Sequence, residues 1–249
     1  MSLFSRLFRK EKMLDPIDLG RLVTDFHSHL IPGIDDGSKS MEDSIAMIRR
    51  FRELGYKNLI TTPHVMSDFY KNDAKSILGG LNKVNEVLQK QRIDIHLTAA
   101  AEYYLDEAFE AKIDSGELLT FGNNYVLFEL PFFAEPPNFA EVIFQLQTNG
   151  YKPILAHPER YGYWYNDFDK YTELKDKGVY LQLNVLSLIG HYSPETKKIA
   201  EKMVDQNLVS FLGSDCHNIH HLELMEIARQ KPYVHQLINS GNLLNASLK

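Results

Sequence analysis

The sequence predicts a parallel α/β domain whose strands close toward a barrel. Three observations carry that prediction. Apolar strand-like runs alternate with amphipathic helical segments seven times from about Leu22 onward. Gly55, Gly150 and Gly178 stand just after helical patterns, where a helix favours a left-handed closing residue. Ionisable residues collect where the apolar runs end. An open sheet would spread those ends along an edge, whereas a (β/α) barrel gathers them at one mouth.

The elements follow in order. The expected strands are 22–30, 58–65, 93–103, 125–131, 152–157, 179–185 and 209–215. Ser40 precedes Met41-Glu42-Asp43 and caps a helix carrying Ile45, Ile48 and Phe51 on one side. Residues 74–91 repeat Ile77, Leu81, Val84 and Leu88 at three- and four-residue steps. Further helical patterns cover 138–148, 168–177, 194–206 and 222–229.

Composition limits the function. A chain of 249 residues with 44% hydrophobic and 24% charged residues can bury a full core without staples. The net charge of −6 argues against a nucleic-acid binder held by a global positive field. A single cysteine excludes disulfide frameworks and cysteine zinc clusters, and suits a reducing, cytoplasmic compartment. No apolar run reaches the roughly 18 residues of a membrane span.

Residues 1–20 form an expected N-terminal tail before a domain spanning 21–249. Leu3, Phe4, Leu7 and Phe8 fall at helical spacing among Arg6, Arg9, Lys10 and Lys12. This is either a short basic amphipathic helix touching an anionic membrane or partner, or a frayed terminus.

Ten histidines are the main chemical signal. His27 and His29 end the first strand run, His64 the second, Glu102 the third, Glu129 the fourth and His157 the fifth; Asp215 and His217 end the seventh. His-x-His on an extended strand puts both imidazoles on one side, and Asp215-Cys216-His217 repeats the spacing. Glu102 and Glu129 stand in apolar runs, where an unpaired carboxylate costs several kcal/mol. Any one of these residues alone reads as a satisfied polar group. Five His and three acids at six strand ends need a common cause, and a polynuclear metal site supplies one. Mixed nitrogen and oxygen ligands suit manganese, iron or zinc.

The stretch His27-Ser28-His29-Leu30-Ile31-Pro32-Gly33-Ile34-Asp35-Asp36-Gly37 resembles the opening motif of the PHP (polymerase and histidinol phosphatase) superfamily. Thr61-Thr62-Pro63-His64, Phe128-Glu129-Leu130-Pro131, Ala156-His157-Pro158-Glu159-Arg160-Tyr161 and Gly213-Ser214-Asp215-Cys216-His217-Asn218 narrow the resemblance. They match the bacterial manganese-dependent tyrosine-protein phosphatases of capsular and exopolysaccharide clusters. The resemblance implies a distorted seven-stranded (β/α) barrel of PHP type, TIM-barrel-like, with three divalent ions at its mouth. Its ligands by motif position are His27, His29, His64, Glu102, Glu129, His157, Asp215 and His217. Manganese is the expected metal, with iron or zinc as alternatives. The implied substrate is the phosphotyrosyl tail of a membrane-bound tyrosine autokinase, reached from the cytoplasm at the inner membrane face.

Arg160 is the expected substrate-binding and catalytic group outside the metals, because guanidinium matches phosphate oxygens in a bidentate fork. The bland reading is a surface salt bridge. The resembled family carries a second basic residue after Asp-x-His; here Asn218-Ile219-His220-His221-Leu222 has no Arg or Lys, so either His220 or His221 takes that role or it is missing. Phe132, Phe133, Tyr161, Tyr163, Trp164 and Tyr165 either wall a cleft for a phosphotyrosine ring or pack within loops. A cysteine phosphatase is disfavoured, because the position six after Cys216 is Leu222. The alternatives are a small-molecule PHP phosphatase such as a histidinol-phosphate phosphatase, a metal-dependent nuclease or phosphodiesterase, and a non-catalytic phosphotyrosine-binding module.

Overall fold

The strands are shorter than the runs that predict them. In the computed structural model, residues 13–248 are described, and the expected amphipathic segment 1–12 lies outside them. Among the described residues, a three-stranded parallel sheet is ordered β1 (Thr24–Asp25), β2 (Asn58–Thr61), β4 (His96–Ala99). A six-stranded parallel sheet is ordered β3 (His64–Val65), β5 (Glu102–Tyr104), β6 (Tyr125–Glu129), β7 (Lys152–Ala156), β8 (Tyr180–Asn184), β9 (Phe211–Gly213).

The two sheets are halves of one ring. β3 continues the run of β2 past Thr62-Pro63, and β5 continues β4 past Ala100-Ala101. Proline has no N–H to give a ladder, so the pairing breaks there on both strands. The Glu102 N–H still bonds the Pro63 carbonyl at 3.1 Å, which keeps the register across the gap. First and last segments meet at a Ser28–Cys216 bridge, flanked by His29 N to Cys216 O at 2.9 Å and Asp215 N to His27 O at 2.8 Å. The expectation of seven continuous strands is thus corrected to shorter segments in two sheets, joined there by a bridge rather than a ladder.

Helices cover the outside: α1 (Met41–Glu53), α2 (Ala74–Lys90), α3 (Glu107–Ser115), α4 (Phe139–Thr148), α5 (Asp169–Asp176), α6 (Pro194–Asp205), α7 (Ile219–Ala228) and α8 (Pro232–Asn239). Ser40 caps α1 by accepting from the Asp43 N–H at 3.1 Å. α3 and α8 stand where no helical pattern is expected, although Asp106 caps the start of α3 and Gly116 closes it at φ +73. α7 starts three residues before the expected 222; Asn218 caps it by accepting from the His221 N–H at 3.2 Å.

Alternation along the strands sorts the barrel interior into layers. Phe26, Ile60, Ala100, Leu127, Ile154 and Phe211 form an apolar floor with Leu248. Two residues further along, the same inward face carries Glu102, Glu129 and Gln182. Asn245 closes the opposite end, donating to the Thr24 and Leu212 carbonyls at 3.1 and 2.7 Å. Near the N-terminus, Leu14 N bonds Gln230 O at 2.9 Å, Ile17 N bonds Arg229 O at 3.0 Å, and Ile17 and Leu19 are buried. The domain boundary expected after residue 20 therefore falls within a segment packed on the domain.

Candidate active site

All eight expected ligands converge at the C-terminal mouth of the strands. Glu102 lies at the centre. Its Oε1 is 3.2 Å from His27 Nε2 and 3.2 Å from His157 Nε2, and its Oε2 is 3.0 Å from His64 Nδ1 and 3.6 Å from His29 Nε2. Asp215 Oδ1 lies 3.3 Å from His27 Nε2, 3.6 Å from His29 Nε2 and 3.4 Å from His217 Nδ1. Glu129 Oε1 is 3.3 Å from His64 Nδ1, and Glu129 Oε2 is 3.9 Å from His157 Nε2. The rings of His29 and His217 stack at 3.9 Å.

Two loop conformations bring these groups in. His157 and Asp215 both adopt positive φ, +34 and +49, one and two residues past the ends of their strands. Such backbone is costly for residues with a Cβ and persists where tertiary contacts hold it. His27 and His29 are likewise not part of a continuous strand; β1 ends at Asp25 and their direction is set by the Ser28–Cys216 bridge.

Only part of the cluster is satisfied from within: His157 Nε2 and Glu102 Oε1 pair at 3.2 Å, and other polar atoms are left over. Nε2 of His27 and of His29, Nδ1 of His64 and of His157, and Oε2 of Glu102 are buried without a hydrogen-bond partner among the described residues. Carboxylate oxygens lie near Nε2 of His27 and of His29 and Nδ1 of His64 but off the hydrogen-bonding direction, whereas His157 turns Nε2 rather than Nδ1 to Glu102. Orphaned lone pairs facing carboxylate oxygens fit cations, and uncompensated they would be costly. Four overlapping groups have ligand atoms within 4.8 Å of one another: His29, Asp36, His64 and His217; His27, His29 and Asp215; His27, Glu102 and His157; His64, Glu102 and Glu129.

The electrostatics agree with the geometry. Burial alone would lower His27, but the charges of Glu102 and Asp215 outweigh it and raise its pKa to about 9. His217 is raised to about 9 against its own burial, by Asp215 and Asp36. Burial would raise Glu102 and Asp215, yet His27 and its neighbours pull both well below the usual carboxylate range. The site is a set of ionised acids that demands positive charge.

Asp36 joins the cluster in addition to the eight expected ligands. Its Oδ1 is 3.5 Å from His64 Nε2 and 3.4 Å from His217 Nε2. The adjacent Asp35 has a supporting part: its Oδ2 lies 2.8 Å from His29 Nδ1 and accepts from the His64 N–H at 3.1 Å. Gly37 lets this loop close on the cluster, since a Cβ there would lie 2.3 Å from His29 Cβ. The sequence signal was available in Asp35-Asp36-Gly37, a turn tripeptide rich in carboxylates.

Above the cluster opens a cleft of about 410 Å³. Its walls include Tyr70, Tyr104, Phe132, Phe133, Tyr192 and Arg160. The Arg160 guanidinium lies 4.9 Å from the Phe132 ring centroid and 4.3 Å from that of Tyr192. His221 lines the cleft, whereas His220 is exposed beside Glu223 at 3.1 Å. Tyr161, Tyr163, Trp164 and Tyr165 do not line it: Tyr161 and Trp164 are buried, and the Tyr163 hydroxyl bonds the Pro131 carbonyl at 3.1 Å. For that stretch the loop-packing alternative holds; for Phe132 and Phe133 the cleft-wall alternative does. Cys216 is buried with its Sγ directed at the Asn218 carbonyl, 3.4 Å away, and belongs to none of the four groups.

The chain has relatives among known proteins. Residues 23–239 match the model of a family described as capsular polysaccharide synthesis, CpsB/CapC. The chain is 31% identical to the tyrosine-protein phosphatase YwqE of Bacillus subtilis (strain 168), covering 78% of this chain and 77% of that one. It is 28% identical to the tyrosine-protein phosphatase CpsB of Streptococcus pneumoniae, covering 78% and 83%. A crystal structure from work on YwqE and CpsB of those two species, described as metal-dependent tyrosine phosphatases, superposes with a TM-score of 0.75. That match is at 29% identity and covers 86% of this chain and 84% of the other.

Proposed function

The chain belongs to the capsular polysaccharide synthesis family CpsB/CapC, and from that premise we infer that it is a metal-dependent tyrosine-protein phosphatase, hydrolysing phosphotyrosine to tyrosine and phosphate. The observation that carries the reading is the set of buried, unpartnered histidine nitrogens converging on the Glu102 and Asp215 carboxylates.

His27, His29, His64, Glu102, Glu129, His157, Asp215 and His217 are the proposed ligands, with Asp36 as a ninth. Three divalent ions are proposed, of manganese first, or of iron or zinc. Their sharing of Glu102, His27, His29 and His64 is supported by the overlap of the four groups. Bound divalent ions would supply positive charge for the phosphoryl oxygens and acidify the attacking water.

The remaining work falls to the chain's own residues. Arg160 offers the cleft a planar fork of N–H donors for phosphoryl oxygens; its one recorded hydrogen bond among the described residues uses Nη1. Stacking between Phe132 and Tyr192 restrains the guanidinium, which reduces the entropy lost when phosphate binds. Tyr70 stacks on His64 at 5.5 Å and, with Tyr104, gives the cleft an apolar wall facing Phe132 and Phe133, suited to a substrate ring.

The proposed substrate is the phosphotyrosyl tail of a membrane-bound tyrosine kinase of capsule synthesis. The proposed place of action is the cytoplasmic face of the membrane, with residues 1–12 as the contact. No helix among the described residues is long and apolar enough to cross a membrane. Parallel assays on a phosphotyrosyl peptide and on histidinol phosphate, with metal content measured, test the reading. Metal-dependent turnover of the peptide is expected. Turnover of histidinol phosphate alone would replace it with a small-molecule phosphatase.

A further inference from the structure

Gln182 and Asn184 are wholly buried at the mouth, yet neither is among the proposed ligands and the proposed reaction uses neither. Buried amides are costly unless their hydrogen bonds are made, so their partners identify their task. The Asn184 Nδ2 donates to Asp215 Oδ2 at 2.7 Å and to the Tyr192 hydroxyl at 3.1 Å. Its Oδ1 accepts from Gln182 Nε2 at 2.7 Å. Gln182 Oε1 lies 2.8 Å from His27 Nδ1 and accepts from the backbone N–H of His157 at 3.3 Å.

The direction of every bond in this chain is determined. A carboxylate only accepts, so Asn184 must turn its amide nitrogen to Asp215. The backbone N–H of His157 only donates, so Gln182 must turn its oxygen that way. Flipping Gln182 would set donor against donor at His157 and acceptor against acceptor at Asn184. With both ends anchored, Gln182 Oε1 is an acceptor and His27 Nδ1 must carry a proton. In the neutral ring that binds a cation, the lone pair of His27 then stands on Nε2, the atom facing Glu102 and Asp215 without a hydrogen bond.

The backbone makes room for this arrangement. A Cβ on Gly213 would lie 2.6 Å from Gln182 Nε2 and 3.1 Å from His27 Cβ. The neighbouring ligand is held differently, with His29 Nδ1 on the Asp35 carboxylate at 2.8 Å.

We propose that Gln182 is a positioning residue that, through Asn184 and Asp215, locks His27 in the Nδ1-protonated tautomer and so presents Nε2 to a divalent cation. The proposal rests on His27 being a ligand. Removing the outer partner of a ligating histidine typically weakens metal affinity about 10- to 100-fold.

The test uses the full chain loaded with Zn(II), which is diamagnetic. Long-range 15N–1H spectra of labelled histidines, with His27 assigned by its loss in His27→Asn, should show protonated Nδ1 and metal-bound Nε2. Chelator competition should show about 10- to 100-fold weaker binding in Gln182→Leu. Gln182→Glu, which keeps the acceptor, should recover most of the affinity. The His29 signals should stay unchanged in both variants. His27 bound through Nδ1 would overturn the inference, and that result does not depend on Gln182→Leu should that variant fail to fold. Equal affinity in Gln182→Leu and wild type would overturn it too. Failure of the wild type to take up zinc would instead overturn the ligand set beneath it.

Discussion

Arg160 Nη1 stands 3.0 Å from Asp215 Oδ2, so the guanidinium proposed to hold phosphate is anchored on a carboxylate of the metal cluster. The two oxygens of Asp215 divide their duties. Oδ1 faces His27, His29 and His217, while Oδ2 takes Arg160 and Asn184. Substrate clamp and ligand are therefore mechanically joined, yet Asn184 still holds Oδ2 when Arg160 is removed.

Arg160→Ala is accordingly expected to keep its metal content and thermal transition while losing roughly 10²-fold or more in kcat/KM, the scale of removing one partner of transition-state charge. Arg160→Lys should recover only part, because an ammonium cannot form the planar fork. The measurement is turnover of a phosphotyrosyl peptide with metals quantified. Full activity in Arg160→Ala would show that the cluster alone holds the phosphate.

Cys216 should be dispensable for chemistry. Burial pushes its thiol pKa well up, so no thiolate nucleophile is at hand. Cys216→Ser should retain activity, while chelation should abolish it and manganese restore it. An inactive Cys216→Ser with full metal content would contradict the metal mechanism.

Only one of the two adjacent histidines faces the cleft. His221→Ala should lower kcat/KM by about tenfold, equivalent to the roughly 1.5 kcal/mol of one hydrogen bond to a charged group. His220 is exposed and paired only with Glu223, and such pairs contribute little. His220→Ala should be indistinguishable from wild type. The reverse ranking would assign the second phosphate contact to His220.

Glu159 is buried behind Arg160, accepting from Asn184 N at 3.0 Å and from Ser187 Oγ at 2.6 Å. Burial raises its pKa from 4.5 to about 7. Folding thus favours the neutral acid: its stability contribution is whole below pH 4.5 and is lost as pH rises through about 7. Glutamine does not titrate. The Tm of Glu159→Gln relative to wild type, both with saturating metal, should climb between pH 5 and pH 8. A difference that stays flat across that range would mean the carboxylate is already ionised in the fold.

Deleting residues 1–12 should leave peptide turnover near wild type, since every proposed ligand lies elsewhere. Co-sedimentation with anionic liposomes should fall if that segment is the membrane contact. Equal sedimentation of both forms would leave it as a simple terminus.

The sequence by itself determined the alternation of strands and helices, the capping of α1, and the strand-end placement of the eight expected ligands. Those features are written in local periodicity: two residues per repeat on a strand carry Ile60, Ala100 and Leu127 inward and, two steps on for the latter pair, Glu102 and Glu129 beside them. Tertiary structure alone decided the rest. Pro63 divides two neighbouring strands because its missing N–H is felt across the sheet. Asp36 reaches His64 and His217 only because its loop folds over the mouth. His221 enters the cleft and His220 leaves it through the start of α7, set by the Asn218 cap. The Tyr161 to Tyr165 aromatics went to packing, and Gln182 and Asn184, ordinary amides in the sequence, became the link between His27 and Asp215. Each of these depends on which segments meet when the ring joins at Ser28 and Cys216. That contact spans about three quarters of the chain, and no short-range pattern encodes it.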